Sequence, residues 1–259
     1  MYDTLATILA NALHTESFQA TQWVGLFRDA LTEDANYGKA VRTDISAFMQ
    51  RDPATSHAVR VLLYTKGFHA LQSWRLSNWL WKKGRISLAL FLQSMISSRF
   101  AGNIHPAANI GSGVLIDHGT GIVIGETASV GDNVSILHNV TIGGTGKESG
   151  DRHPKVGNGV LIGAGATILG NISIGTCTHI AACSVVLKPV PPCAVLSGVP
   201  AKVVGKVRYD AGMMSSFVMD QRLSIEVVGA QNPYQNVVTG PVKSSQLNNE
   251  EDADVGSGL

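Results

Sequence analysis

Between residues 104 and 140 a small or aliphatic apolar side chain recurs at every sixth position: Ile104, Ile110, Ile116, Ile122, Ala128, Val134 and Val140. A second run of the same period occupies Val156, Ile162, Ile168, Ile174, Ile180 and Val186. A period of six matches neither the 3.6-residue turn of a helix nor the two-residue alternation of an ordinary strand, and it is the mark of a hexapeptide β-helix. Each hexapeptide supplies one short strand and one corner. The aliphatic side chain points into a narrow prism, and small residues such as Gly111, Gly157, Gly163 and Gly175, each directly after a register position, permit the tight turns. Three units make a coil of about 18 residues. The two runs are out of phase, because 140 to 156 is 16 positions rather than 12, so the chain is expected to leave the prism in a loop over residues 146–155. Solenoids accept such an insertion on one face, and these loops often carry function.

The chain before the repeats reads differently. Phe18, Trp23, Phe27 and Leu31, then Leu71, Trp74, Asn78 and Trp81, fall at helical spacings. Asp52-Pro53 has the form of a helix start, with Asp as cap and Pro at the first helical position. Gly84-Arg85-Ile86 divides two further helices. Beyond Gly205 the repeats stop, and residues 208–259 turn polar, as expected of a flexible tail that orders on meeting a partner.

Composition excludes several functions. Twenty Lys and Arg against nineteen Asp and Glu leave a net charge of +1, too little to hold a polyphosphate backbone, so nucleic acid is not the expected partner. The longest apolar run, around Ile86 to Leu92, stops at Gln93, short of a membrane span. With no basic residue before Arg28 the N-terminus matches no targeting signal, and a cytoplasmic location is expected. Cys177, Cys183 and Cys193 form no CxxC motif and are read as buried structural thiols, with no metal site expected.

Ionisable residues are scarce in the repeats, so those present stand out: His105, Asp117-His118, Glu126, His138, Asp151-Arg152-His153 and His179. A solitary histidine in such a repeat is ordinarily a satisfied corner residue, the reading taken for His105, His138 and His179. His118 differs because it follows Asp117 within Asp-His-Gly-Thr-Gly. Arg152 and His153 differ because they ride on the excursion, where a rigid prism is expected to present them outward.

The segments "RDPA" (51–54), "LLYTKGFHALQ" (62–72), "IHPAANIG", "DHGTGIVIGET", "VTIGGTGK", "GDRHPK", "IGAGATILGNI" and "SGVPAKVVGK" resemble the serine O-acetyltransferases of cysteine biosynthesis, over residues 50–207. The resemblance implies an α+β chain: a helical domain (1–100) for oligomerisation and part of the substrate site, then a left-handed parallel β-helix of hexapeptide repeats (101–207) with the one excursion loop, then the tail. It implies homotrimers that pair into hexamers, and transfer of acetyl from acetyl-CoA, a co-substrate and not a resident cofactor, to the L-serine hydroxyl. His118 is the implied general base, since a serine hydroxyl needs a base within hydrogen-bond reach to attack a thioester at neutral pH. Asp52, Asp117, Arg152 and His153 match the family's serine-binding residues; Arg suits the carboxylate and the acids suit the ammonium. Gly144, Thr145, Ala164 and Ala182 match positions along the acetyl-CoA arm, in a groove between two prisms. L-cysteine is the implied feedback inhibitor, and O-acetylserine sulfhydrylase the implied partner of the tail.

Two positions depart from the family pattern. The residue before "IHP" is Asn103 where the family has an aspartate that pairs with the catalytic histidine, and the chain ends in Leu259 where many members end in isoleucine. An amide supplies a hydrogen bond but no charge to the imidazolium. A regulatory or scaffold homologue weakened at Asn103, and a hexapeptide acyltransferase with another acceptor, are therefore the alternatives. Release of thiol from acetyl-CoA with L-serine separates them.

Overall fold

The computed structural model describes residues 1–207 and Met219; the expected tail over 208–259, including Leu259, otherwise lies outside the described residues. Six helices come first: α1 (Tyr2–Leu13), α2 (Ala20–Glu33), α3 (Ala35–Arg51), α4 (Ala58–Tyr64), α5 (Lys66–Lys82) and α6 (Ile86–Phe100). Leu5, Leu9 and Leu13 of α1 and Trp23 and Phe27 of α2 share one fully buried core. Asp52-Pro53 does not start a helix. Asp52 ends α3, donating its N–H to Phe48 O, and its carboxylate accepts from Ala54 N (2.8 Å) and Thr55 Oγ1 (2.6 Å). Aspartate before proline serves a turn as readily as a helix start, and here the turn wins. Among the described residues no helix is long and apolar enough to cross a membrane.

Strands follow in triplets, one triplet to a coil, as far as β12. They are β1 (Gly102–Ile104), β2 (Asn109–Ile110), β3 (Leu115–Ile116), β4 (Ile122–Ile124), β5 (Ser129–Val130), β6 (Ser135–Ile136), β7 (Thr141–Gly143), β8 (Lys155–Val156) and β9 (Leu161–Ile162). The last coils add β10 (Thr167–Leu169), β11 (Ser173–Ile174), β12 (His179–Ile180), β13 (Val185–Val186), β14 (Ala194–Gly198) and β15 (Ala201–Lys206). Stacked coils form three sheets: sheet one is β1-β4-β7-β10-β13, sheet two β2-β5-β8-β11, and sheet three β3-β6-β9-β12-β14-β15. All pairings are parallel except β14 with β15, which closes the end of the prism as a hairpin. This is the parallel β-helix that the period of six predicts.

The register departs from expectation at one place. Ile104 pairs with Ile124, not with Ile122, and Ile116 with Ile136, so the first coil is two residues longer than the regular repeat. The inward phase after Ile116 is therefore Ile124, Val130, Ile136 and Ile142. Ile122, Ala128, Val134 and Val140 are also buried, as second inward positions two residues earlier. Hydrogen bonds locate the extra residues. Asp117 N donates to Ile136 O and Asn139 N to Thr120 O, so Asp117 lies level with Leu137 and Gly121 with Asn139. His118, Gly119 and Thr120 thus stand opposite the single residue His138. The corner between sheet three and sheet one carries a two-residue bulge, a device that re-aims side chains near functional sites.

Helix α5 buttresses this bulge. A β-carbon on Gly67 would collide with the Ile116 carbonyl oxygen, and one on Gly119 would lie 2.8 Å from the Gly67 α-carbon, so the first turn of α5 touches backbone to backbone. Lys66 Nζ donates to Thr120 Oγ1 (2.6 Å). Further along α5, Trp74 Nε1 donates to His105 O (3.0 Å) and Asn78 Nδ2 to Pro106 O (2.7 Å). The fully buried Asp44 of α3 ties the layers together. It accepts from Arg75 Nη2 (2.7 Å), Gln72 Nε2 (2.9 Å) and the Val114 N–H of the first coil (3.0 Å). Arg51 reaches Ser135 Oγ (3.1 Å) and Asn133 Oδ1 (3.2 Å), and burial lowers it to about 10, still cationic at neutral pH.

Candidate functional site

A cleft of about 840 Å³ lies where the α3–α4 turn meets the bulged corner; Asp52, Arg60, Lys66, Asp117, His118 and His138 line it. His118 occupies the left-handed region (φ +57°), and its side chain is 71% exposed, so it projects into the cleft with no packing role. Its Nε2 stands 3.5 Å from Asp117 Oδ2, and its ring meets that of His138 edge to face at 5.7 Å. Asp52 arrives through its turn. The cleft thus brings together three of the expected residues, Asp52, Asp117 and His118.

Arg152 and His153 gather at another corner, between sheet one and sheet two. Thr127 Oγ1 accepts from the backbone N–H of both Arg152 (3.0 Å) and His153 (3.2 Å), and Arg152 Nη2 donates to Glu126 Oε2 (2.7 Å). The excursion therefore folds back and does not present both side chains outward as expected. His153 is buried, its ring filling space that a β-carbon on Gly125 would occupy. The Thr127 N–H donates to His153 Nδ1 (3.2 Å), which leaves the proton of the neutral ring on Nε2. The guanidinium hydrogen bond holds Glu126 below the usual carboxylate range.

The positions expected along the acetyl-CoA arm divide in the same way. Gly163 N donates to Ile180 O and Cys183 N to Ala164 O, which stacks Ala182 on Ala164, and Ala164 lies beneath His138 and the bulge. Gly144 and Thr145 follow β7 at the opposite corner, beside Arg152. Sheet one separates the two corners by three-residue strands, about 10 Å at the usual rise per residue. Asn103 lies exposed on β1, its amide oxygen accepting from Gln93 Nε2 (2.7 Å). Sequence reading passed over Thr127, Arg60 and Lys66, which belong to no ionisable cluster along the chain. Among the described residues no group of three or more His, Cys, Asp or Glu is placed to hold a metal ion.

Three histidines share one electrostatic feature. Burial pushes His69, His105 and His153 below the ordinary histidine value, and for His153 the neighbouring Arg152 adds to the effect. In the folded chain they remain neutral at pH values where unfolded histidines, near 6.5, take up protons. The unfolded state then binds more protons, so this contribution to stability is complete above about pH 6.5 and is lost as the pH falls below it. The urea midpoint is expected to be lower at pH 5.5 than at pH 7.5, and His69→Gln should narrow the gap. Equal midpoints in the parent chain would count against it.

The chain resembles known proteins over most of its length. A family model described as "Serine acetyltransferase, N-terminal" matches residues 1–73, and one described as "Bacterial transferase hexapeptide (six repeats)" matches residues 153–188. Serine acetyltransferase of Salmonella typhimurium is 50% identical over 220 residues, covering 85% of this chain and 80% of that protein. Serine acetyltransferase 2 of Arabidopsis thaliana is 53% identical over 200 residues, covering 77% of this chain and 62% of its own length. The crystal structure of serine acetyltransferase from Vibrio cholerae superimposes with a TM-score of 0.82 at 51% identity, covering 85% of this chain and 84% of that one. The Brucella abortus enzyme in complex with coenzyme A gives a TM-score of 0.80 at 50% identity, covering 81% and 84%. Other similar structures hold cysteine, or, in the Neisseria gonorrhoeae protein, serine. The helical domain, the coils and these likenesses lead to one conclusion: the chain belongs to the serine acetyltransferase family.

Proposed function

We propose that this chain transfers the acetyl group of acetyl-CoA to the hydroxyl of L-serine, giving O-acetyl-L-serine for cysteine biosynthesis, with His118 as general base. The observation that carries this reading is the bulge that lifts His118 beside Asp117 into a cleft facing Asp52. His118 takes the hydroxyl proton as the serine oxygen attacks the thioester carbonyl. A tetrahedral intermediate forms, the C–S bond breaks, and the imidazolium returns the proton to the departing CoA sulfur. No covalent enzyme intermediate is needed. Asp52 and Asp117 hold the ammonium of serine, and Arg152 with His153 holds its carboxylate. Solved family members in complex with coenzyme A and with serine support both substrates. The test is release of free thiol from acetyl-CoA on addition of L-serine; a chain that releases none, or prefers another acceptor, overturns the reading.

The two corners set a further condition. His118 with Ala164 and Ala182 flanks one side of sheet one, and Arg152 with Gly144 and Thr145 the other, so one chain does not close the site. In a ring of three identical chains, the first corner of each prism faces the second corner of its neighbour, and the groove between prisms receives acetyl-CoA. Complementation tests this. His118→Ala and Arg152→Ala chains, each inactive alone, should regain about a quarter of parental activity when co-assembled, since one interface in four pairs two intact halves. No recovery in verified mixed oligomers would place the whole site within one chain.

Asn103 occupies the position of the family's orienting aspartate. In the serine-protease example of such a pairing, Asp to Asn beside the catalytic histidine costs about 10⁴-fold. Here Asp117 adjoins His118, so Asn103→Asp should raise turnover by a smaller factor, about 10-fold. An unchanged turnover would show that position 103 does not act on His118. L-cysteine carries the same ammonium and carboxylate as serine and competes for the same contacts, a reading supported by the family structure in complex with cysteine. Docking of O-acetylserine sulfhydrylase on residues 208–259 completes the proposal.

A further inference from the structure

The corner between sheets two and three carries a column of left-handed residues. Asn133 N donates to Ser112 O, Gly159 N to Asp132 O, Cys177 N to Asn158 O and Cys193 N to Thr176 O, each step stacking one coil on the last. The column therefore reads Gly113, Asn133, Gly159, Cys177, Cys193, with φ of +69°, +58°, +66°, +60° and +59°. Glycine and asparagine are the residues that take this conformation at least cost. Cysteine is not, and neither Cys177 nor Cys193 is buried, so core packing does not explain the last two positions. The expected buried thiols are in fact corner residues, and Cys183, at the corner that carries Ala182, is exposed.

Side chains in these columns lean toward the equivalent position on the coil before. Asn133 Oδ1 lies against the place where Gly113 would carry a β-carbon. At the neighbouring corner the Cys183 sulfur stands 3.2 Å from the β-carbon position of Gly165, the residue one coil back. Applied to Cys193 above Cys177, this lean sets the Cys193 sulfur close to the Cys177 β-carbon; on the same lean the Cys177 sulfur points toward Gly159, so closing the bond requires one turn of Cys177 about its Cα–Cβ bond. Stacked coils are about 4.8 Å apart, within the 4.4–6.8 Å range of α-carbon separations that a disulfide spans.

We propose that Cys177 and Cys193, thiols in this structure, are an oxidation site that closes to an intrachain disulfide, fastening the last coil to the one before it. The co-reactant is a peroxide. One thiolate attacks a peroxide oxygen and becomes a sulfenic acid with loss of water; the second attacks that sulfur and a second water leaves. Two thiols and one hydrogen peroxide thus give one disulfide and two waters. The loop so closed, residues 178–192, contains Ala182. The corner is the vertex of the prism opposite sheet one, away from the proposed groove.

The full chain is treated with hydrogen peroxide, quenched, denatured and titrated for free thiols, with intact mass and a non-reducing gel in parallel. Thiols should fall from three to one, mass should drop by about two units, and the band should remain that of a single chain. Dithiothreitol should reverse all three changes. Cys183→Ser should go from two thiols to none. Cys177→Asn and Cys193→Gly, which borrow residues the column already uses, should each keep both remaining thiols. The oxidised chain should melt roughly 5–10 °C higher than the reduced one. Retention of three thiols, a crosslink that needs Cys183, or a crosslink between chains overturns the proposal.

Discussion

Replacing His118 by alanine lowers turnover by about 100-fold or more, the usual contribution of a general base, while the chain stays folded. The side chain is 71% exposed and touches His138 only edge to face, so its removal leaves no cavity. The one structural cost is the left-handed backbone at this position, which alanine tolerates less well than asparagine. His118→Asn therefore accompanies it: it keeps the conformation, lacks a proton acceptor of comparable basicity, and should be as inactive. Steady-state turnover with acetyl-CoA and L-serine, read beside thermal unfolding, checks both. A folded alanine variant retaining more than about a tenth of parental turnover removes His118 from the chemistry.

Asp44→Ala is expected to destabilise the chain by about 3–5 kcal/mol, because it strands the largely buried Arg75 side chain, 9% exposed, without its anion. Two further donors, Gln72 Nε2 and the Val114 N–H, lose their acceptor in the same step. The comparison is Asp3→Ala, which breaks the Arg28–Asp3 pair, where the side chains are 61% and 77% exposed. Exposed pairs of this kind contribute about 0–1 kcal/mol, so that variant should unfold almost with the parent. Urea unfolding of the three proteins measures the difference. Because Asp44 bonds helix to coil, the loss should appear in probes of both parts; equal stabilities for the two variants would show that Asp44 does not hold the layers together.

The coils were legible because burial in a narrow prism admits few residue types, and the period of six survives in the sequence as a bare pattern. The slip after Ile116 was not. Ile122, Ala128, Val134 and Val140 point inward as well, so a reading two residues out of phase still finds an apolar side chain at every step. Only the backbone hydrogen bonds at the corner betray the extra residues. Asp52 lines the cleft but ends a helix instead of starting one, since the Asp-Pro pair serves both turns and helix caps. The burial of His153 could not be read at all. It depends on a slot left by Gly125, 28 positions away in the chain and one coil away in space. Asp44 escaped notice for a related reason: a lone acid on a helix looks like solvent-facing charge until its three donors are assembled around it.

The bulge opposite His138 makes the prism a measuring stick. His118, His138, Ala164 and Ala182 occupy successive notches of one corner, about 4.8 Å apart, and the whole stack holds His118 at a fixed depth of roughly 14 Å from the last alanine. Whatever lies along that corner has its reacting end placed by counting coils rather than by the shape of a pocket. Deleting one regular coil between His138 and Ala182 would leave His118 and Asp117 untouched and shorten the scale by a single notch, so under the proposed function the length of acyl carrier accepted would be written in the number of repeats.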